Sequence, residues 1–346
     1  MRATLASVVF VVAAAGCGSE PEPANQEDLA QIDPIAEFEV RYRHWTDLRQ
    51  HTFGETGEDF DPDVTFDRRW LAFASTRDSA NPDIYVKELD SRTAIRLTSH
   101  PASDRYPAVS PDGSMVAFAS DRNGNWDVFI VPASGPSAVI EVTHGEGDEI
   151  APEWSPNADR LCYSARDVSG VWNLWIYDRT TQSLSNIGPG LFAAWSPDGE
   201  WLAFQRPQQV GGNWYALWRV RFDGSEPTQV LSRPEWAAIH PAWSADGTRI
   251  AFATVHQSRF SQIFGRLWKA DDIWTVRADG TDLTNLTDHP AADWSPSWGA
   301  DDRIYFTSEM EGRKNIWSVL PRKIEFTLPP GAEAEPSDGG AAPSNP

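Results

Sequence analysis

Cysteine is nearly missing from this chain. Two occur among 346 residues, Cys17 and Cys162, and the first falls in a leader-like segment, so no disulfide framework holds the fold. Basic residues are scarce too: 29 Lys and Arg stand against 50 Asp and Glu, a net charge of −21. That balance disfavours nucleic acid and anionic lipid and favours cations or basic partners. Catalytic signatures are also lacking. There is no Gly-x-Ser-x-Gly elbow, no His-Glu-x-x-His pair and no phosphate-binding loop, and the seven histidines do not cluster at metal-ligand spacing. The chain therefore reads as a binding protein, not an enzyme.

What the sequence does have is a repeated phrase. Its fullest copy is Trp195-Ser196-Pro197-Asp198-Gly199 followed by Leu202-Ala203-Phe204. Weaker copies start at Val109, Trp154, Trp243 and Trp298, with a degenerate first copy at Val64, and the steps between them are 45, 45, 41, 48 and 55 residues. A period in the forties with several short strands per unit signals a propeller. Ser-Pro-Asp-Gly is a tight turn, because Pro pre-sets φ, Asp bonds its own backbone and Gly accepts a positive φ. The apolar strand after it suits burial on both faces. A third strand follows, as in Asp83-Ile84-Tyr85-Val86 or Asp127-Val128-Phe129-Ile130, and a fourth ends in Leu97-Thr98, Val142-Thr143 or Leu286-Thr287. Each unit thus carries four strands, a to d.

These units resemble the TolB-type WD40-like propeller repeat over roughly residues 46–320. The resemblance is to the repeat alone, since nothing here is long enough to be the α/β domain that precedes the propeller in TolB. It implies an all-β, six-bladed β-propeller of four-stranded blades. The N-terminal edge supplies the closure: Thr46 to Thr52 matches Thr281 to Thr287, the outer strand of blade five, whereas blade six lacks an outer strand of its own. Residues 46–52 are therefore expected to complete blade six and leave no gap in the ring.

Outside the repeats, residues 1–16 read as a signal peptide: Met1-Arg2 precedes an apolar core, Leu5 to Ala15, too short to span a bilayer. Ala14-Ala15-Gly16-Cys17 resembles the lipobox of bacterial lipoproteins, in which Cys17 receives lipid and anchors the protein to a membrane. Residues 17–45 read as an acidic tether and 321–346 as a disordered tail. Cys162 fills the slot held by Ala72, Ala117, Ala203 and Ala251, so it is a small core residue. Of the 17 tryptophans, most fall at repeat positions, where blade packing accounts for them before sugar stacking does. The run Asp121 to Asp127 has oxygen groups at alternate positions like a calcium loop, but lacks the distal Glu, and turn chemistry explains it.

One constellation stands out from the repeat. Three residues before a recurrent proline stand Asp59, Asp104, Glu149 and Asp293, where blades four and five have Gly190 and Ala238. The bland account is that each carboxylate serves its own turn. The alternative is an acidic channel mouth that holds a basic partner segment or a cation such as Ca2+. Blades four and five carry the longest loops between strands b and c, the latter with Arg259, Phe260, Phe264 and Trp268. Long loops on a rigid repeat are common binding sites. The expectation is an exported, lipid-anchored, monomeric scaffold at the periplasm or cell envelope, binding a protein or peptide at the channel mouth, with no certain cofactor. The second reading is a carbohydrate-binding or lyase-like propeller, since related propellers include polysaccharide lyases. Metabolic lipid labelling checks the anchor: wild-type protein should incorporate label, and Cys17→Ser should lose it and leave the membrane fraction.

Overall fold

The computed structural model describes residues 44–65, 69–207, 215–256 and 271–322. These form six four-stranded antiparallel sheets, each a blade, arranged as the repeats demand. The first strand of each is innermost: Asp59–Val64, Asp104–Val109, Glu149–Trp154, Leu191–Trp195, Trp236–Trp243 and Asp293–Trp298. The turn after it works as its residues suggest. In blade two, Ser110 Oγ donates to Asp112 Oδ1 at 2.6 Å and accepts the Met115 N–H at 3.0 Å, so one hydroxyl spans the turn. Gly113 adopts φ 69°, and a Cβ there would come within 2.8 Å of Trp70 in the preceding blade. The Leu-Thr ending has a cause as well. The hydroxyls of Thr98, Thr143, Thr287 and Thr52 accept the N–H of Ile84, Val128, Ile273 and Ile316, fastening strand d to strand c.

No blade holds a core of its own. The buried apolar residues fall into six clusters, and each is shared by two neighbouring blades. Strand alternation divides the side chains: Ala72 and Ala74 pack against blade two, whereas Leu71 and Phe73 pack toward blade six. Cys162 is fully buried in the seam between blades three and four, as the small-residue slot requires.

Hydrogen bonds stitch the seams near the axis. Trp154, Trp195 and Trp243 each donate an indole N–H to a carbonyl of the blade before, on Ala108, Glu153 and Ala194. Where blades one and two have Val in place of Trp, the backbone N–H donates instead, to a side chain of the blade before. Asp63 Oδ2 accepts the Val109 N–H at 2.7 Å, and Ser297 Oγ accepts the Val64 N–H at 3.2 Å. The indole N–H of Trp298, at the seam between blades five and six, finds no partner.

The ring closes as the sequence match implies. Trp45–Gln50 pairs antiparallel with Asn315–Pro321, completing the sheet of blade six. The correspondence reaches the backbone, since Asp47 and Asp282 take φ 55° and 53° at equivalent places. Arg303 locks the latch, donating to Asp47 Oδ2 at 2.7 Å and to Ser318 Oγ at 3.0 Å. Deleting residues 46–52 should lower stability by several kcal/mol in one cooperative transition, roughly the burial and ladder bonds of one strand. Arg303→Ala should cost about 1–3 kcal/mol, because it removes a buried guanidinium and its bonds between the latch strand and blade six. Denaturant melts of both variants check this; a deletion that melts like the parent places the latch elsewhere.

Candidate functional site

The four acids singled out in the sequence do not rim the channel. Asp59, Asp104, Glu149 and Asp293 begin their innermost strands and are buried, with 2%, 0%, 8% and 0% of their surface exposed. Asp59 accepts two 2.8 Å bonds from Arg77, whose guanidinium lies over Phe73 and Tyr85. Asp104 is held by Arg122 at 3.1 Å, which lies over Phe118 and Phe129. Asp293 has His289 Nε2 at 3.0 Å, though off the hydrogen-bond line. Glu149 has no basic partner; burial, with Asp127 beside it, raises its carboxyl to about 7. The first two acids are thus ion-paired within their own blades, whereas Glu149 and Asp293 are buried without an arginine. Among the described residues, no three His, Cys, Asp or Glu side chains converge as a metal centre. Arg259, Phe260, Phe264, Trp268 and Cys17 lie outside the described residues.

The axis holds a different site. A cavity of about 570 Å³ opens among the turns between strands a and b, on the face opposite the one expected. Its wall is largely apolar, with Val64, Trp154, Trp195, Trp243 and Trp298 and the turn prolines Pro111, Pro156 and Pro197. Its floor comes from one residue per blade: Asp61, Tyr106, Ala151, Phe192, His240 and Ser295. All six take a left-handed φ between 50° and 53°. Each sits in a bulge, where the a–b register slips by one residue. Such a backbone costs on the order of 1–2 kcal/mol per residue bearing a Cβ. Bonds from the previous blade help to hold it: the N–H groups of Asp61, Phe192 and His240 donate to side chains of Thr307, Ser164 and Gln205.

The floor side chains close a circuit that omits only Ala151. Arg105 donates to Asp61 Oδ2 at 2.8 and 3.1 Å, and Ser295 Oγ donates to Asp61 Oδ1 at 3.2 Å. Ser295 Oγ is also 3.2 Å from His240 Nδ1, an order that assigns the ring proton to Nδ1. The imidazole meets Phe192 edge-on at 4.3 Å, Phe192 meets Tyr106 at 5.3 Å, and Arg105 lies over Tyr106 at 4.6 Å. Burial lowers His240 to about 4, against the pull of Asp61, so the floor histidine is neutral at neutral pH. The axial cavity is therefore narrowed at its base by a connected ring of side chains.

Two carboxylates stand in the wall above that floor. Burial raises Asp63 to about 6, opposed by the bonds it accepts from Val109 and Ser297. Burial, and next the charge of Asp63, hold Glu153 well above the ordinary carboxylate range. Both are partly accessible from the cavity, so water there moderates the rise. Among the described residues Glu153, unlike Asp63, has no hydrogen-bonding side-chain partner for its carboxylate, while Trp195 engages its backbone carbonyl. Sequence reasoning missed these residues. The signal was present: the floor residue directly precedes the recurrent proline in five blades, and the wall carboxylates directly follow it. A residue before proline is already displaced from the right-handed helical region.

Blade closure, repeat turns and an axial cup define the class, a closed six-bladed propeller with a central cavity. Residues 79–215 match the Tricorn protease N-terminal beta propeller domain. Tricorn protease homolog 1 of Streptomyces coelicolor is 24% identical over 266 residues, which is 72% of this chain and 23% of that protein. A protein TolB homolog of Chlorobium luteolum is 28% identical over 149 residues, 41% of this chain and 32% of its own. The chain thus spans less than a third of either relative. A solved structure of putative TolB from Agrobacterium tumefaciens is similar at a TM-score of 0.56 and 17% identity, covering 77% of this chain and 91% of that one. The domain is thus similar in sequence to Tricorn- and TolB-type propellers and shares their propeller fold.

Glu153 gives a pH test. Its raised folded value favours the protonated form, so its stability contribution is lost as pH climbs above the unfolded value. Glu153→Gln should therefore raise the melting temperature by about 2–4 °C near pH 8 and by much less near pH 4.5. Calorimetry of both proteins at the two pH values checks it.

Proposed function

We propose that this propeller is a cell-envelope binding module, and that its axial cup receives a segment of a partner protein. Glu153 carries the reading: a carboxylate in a largely apolar, half-enclosed cavity, repelled by Asp63 and without a hydrogen-bonding side-chain partner among the described residues. Folding gains nothing from such a group, and a site that lowers stability is one selected for another reason. The segment is one with apolar side chains for the Trp and Pro wall and a lysine or arginine that reaches Glu153 and Asp63. In this reading the chain is exported and tethered through Cys17, which sets the cup among envelope proteins.

A sugar reading finds less support in the same cavity. Three of its four wall tryptophans have their indole N–H groups bonded to neighbouring blades, that of Trp298 is buried, and the carboxylates exposed to the cavity repel uronate ligands.

Site-specific photocrosslinking in envelope-bearing cells tests the proposal. A photoreactive residue at Ala245 on the cup rim should give a discrete protein adduct, whereas one at Val168, fully exposed on the opposite face, should not. Glu153→Gln should weaken capture by about tenfold, the loss of one charge-assisted contact. Adducts from Val168 alone, or capture indifferent to Glu153→Gln, would place the function elsewhere.

A further inference from the structure

At five of the seams, the start of strand a bonds the start of strand c in the blade before it. The Asp104 N–H donates to the Pro82 carbonyl at 2.8 Å, and the Glu149 N–H donates to the Trp126 carbonyl at 2.6 Å. Two acids are thereby brought together at both places, Asp83 with Asp104 and Asp127 with Glu149. Between blades one and two the charges balance. Arg96 Nη2 lies 2.6 Å from Asp83 Oδ2, and Arg122 lies 3.1 Å from Asp104.

Between blades two and three both arginines are replaced by acids. Arg96 stands opposite Tyr85 in its ladder, and the residue at that place opposite Phe129 is Glu141. Arg122 follows by two residues the partner of Asp104, and the residue two after Ala165, the partner of Glu149, is Asp167. The nearby cations are engaged elsewhere: His144 is 3.0 Å from Glu141, and Arg166 is 4.0 Å from Asp148. Asp127 is 1% exposed and Glu149 8%, and Glu149 Oε2 is buried without a hydrogen-bond partner. Both carboxylates converge on Gly145. Its N–H is 3.4 Å from Asp127 Oδ1, and a Cβ there would stand 2.9 Å from Glu149 Oε1. Buried carboxylates left unneutralised are strongly unfavourable.

We propose that Asp127 and Glu149 bind a hard divalent cation, Ca2+ or Mg2+, at the seam between blades two and three, in place of the two arginines that neutralise the equivalent acids one seam earlier. The donors are all oxygen, the set such ions prefer, and water completes the coordination as these ions allow. Gly145 is exposed, so the ion enters from solvent and its position needs no side chain to move aside.

The test uses the full chain and the metals alone. After chelation, adding millimolar Ca2+ or Mg2+ at neutral pH should raise the melting temperature by about 3–6 °C, the mass-action stabilisation of a site filled well above its dissociation constant. Glu149→Gln should abolish the shift. Glu141→Arg, which supplies the charge Arg96 supplies, should abolish it too while melting in chelator no lower than the parent. Wild-type protein should sensitise Tb3+ emission through nearby Trp126, and Ca2+ should compete it away, a readout that needs no variant to fold. No metal-dependent shift and no competed Tb3+ emission in the wild type would overturn the site, as would a full shift in Glu149→Gln.

Discussion

Each blade of this protein is unfinished. Its two faces are buried only by its neighbours, so every apolar cluster needs two blades and the six clusters need a ring. The last cluster, which joins Val64, Leu71 and Phe73 to Tyr305 and Ile316, exists only when chain ends far apart in sequence meet. The strand Trp45–Gln50 therefore protects more than one sheet edge. It completes blade six, and its Trp45 packs into the cluster that blade six shares with blade five.

The same dependence explains why polar groups vary from seam to seam. A seam can be fastened by an indole on a carbonyl, by a carboxylate on an N–H, or by an arginine that lies over an aromatic ring and bonds a buried Asp of the blade before. These devices satisfy the same backbone and charge requirements with different residue types. Where a device is missing, the group left behind is informative. Glu153 and Glu149 are two such groups, one facing the cup and one enclosed between blades.

Much of the fold was legible because turns and strand periods act locally. The Ser-Pro-Asp-Gly phrase, the small residue at Cys162 and the Leu-Thr ending each have a cause within a few residues, and the match of Thr46–Thr52 to Thr281–Thr287 carried the closure. The site was less legible because it depends on where an inner strand points its side chains. A regular strand would alternate, but the bulge at Asp61 and its five equivalents turns the residue before the proline onto the axis. Acid identity at Asp59 and Asp104 suggested a mouth, yet the arginines that claim them stand 18 residues away in sequence and become neighbours only in the folded blade. Pairing of that kind cannot be seen by counting from a proline.

The six floor positions also bear on how such a protein changes over generations. They share one backbone geometry while carrying Asp, Tyr, Ala, Phe, His and Ser, six unlike side chains. Folding therefore prescribes the conformation at these places and leaves the chemistry free. A lineage can alter what lies at the bottom of the cup one codon at a time without shifting a ladder. That is simplest where the side chain, as at Ala151, is not tied across a seam as Asp61 is to Arg105 and Ser295. Duplicated blades supply the sixfold frame, and divergence confined to six codons supplies the asymmetry by which ligands are told apart.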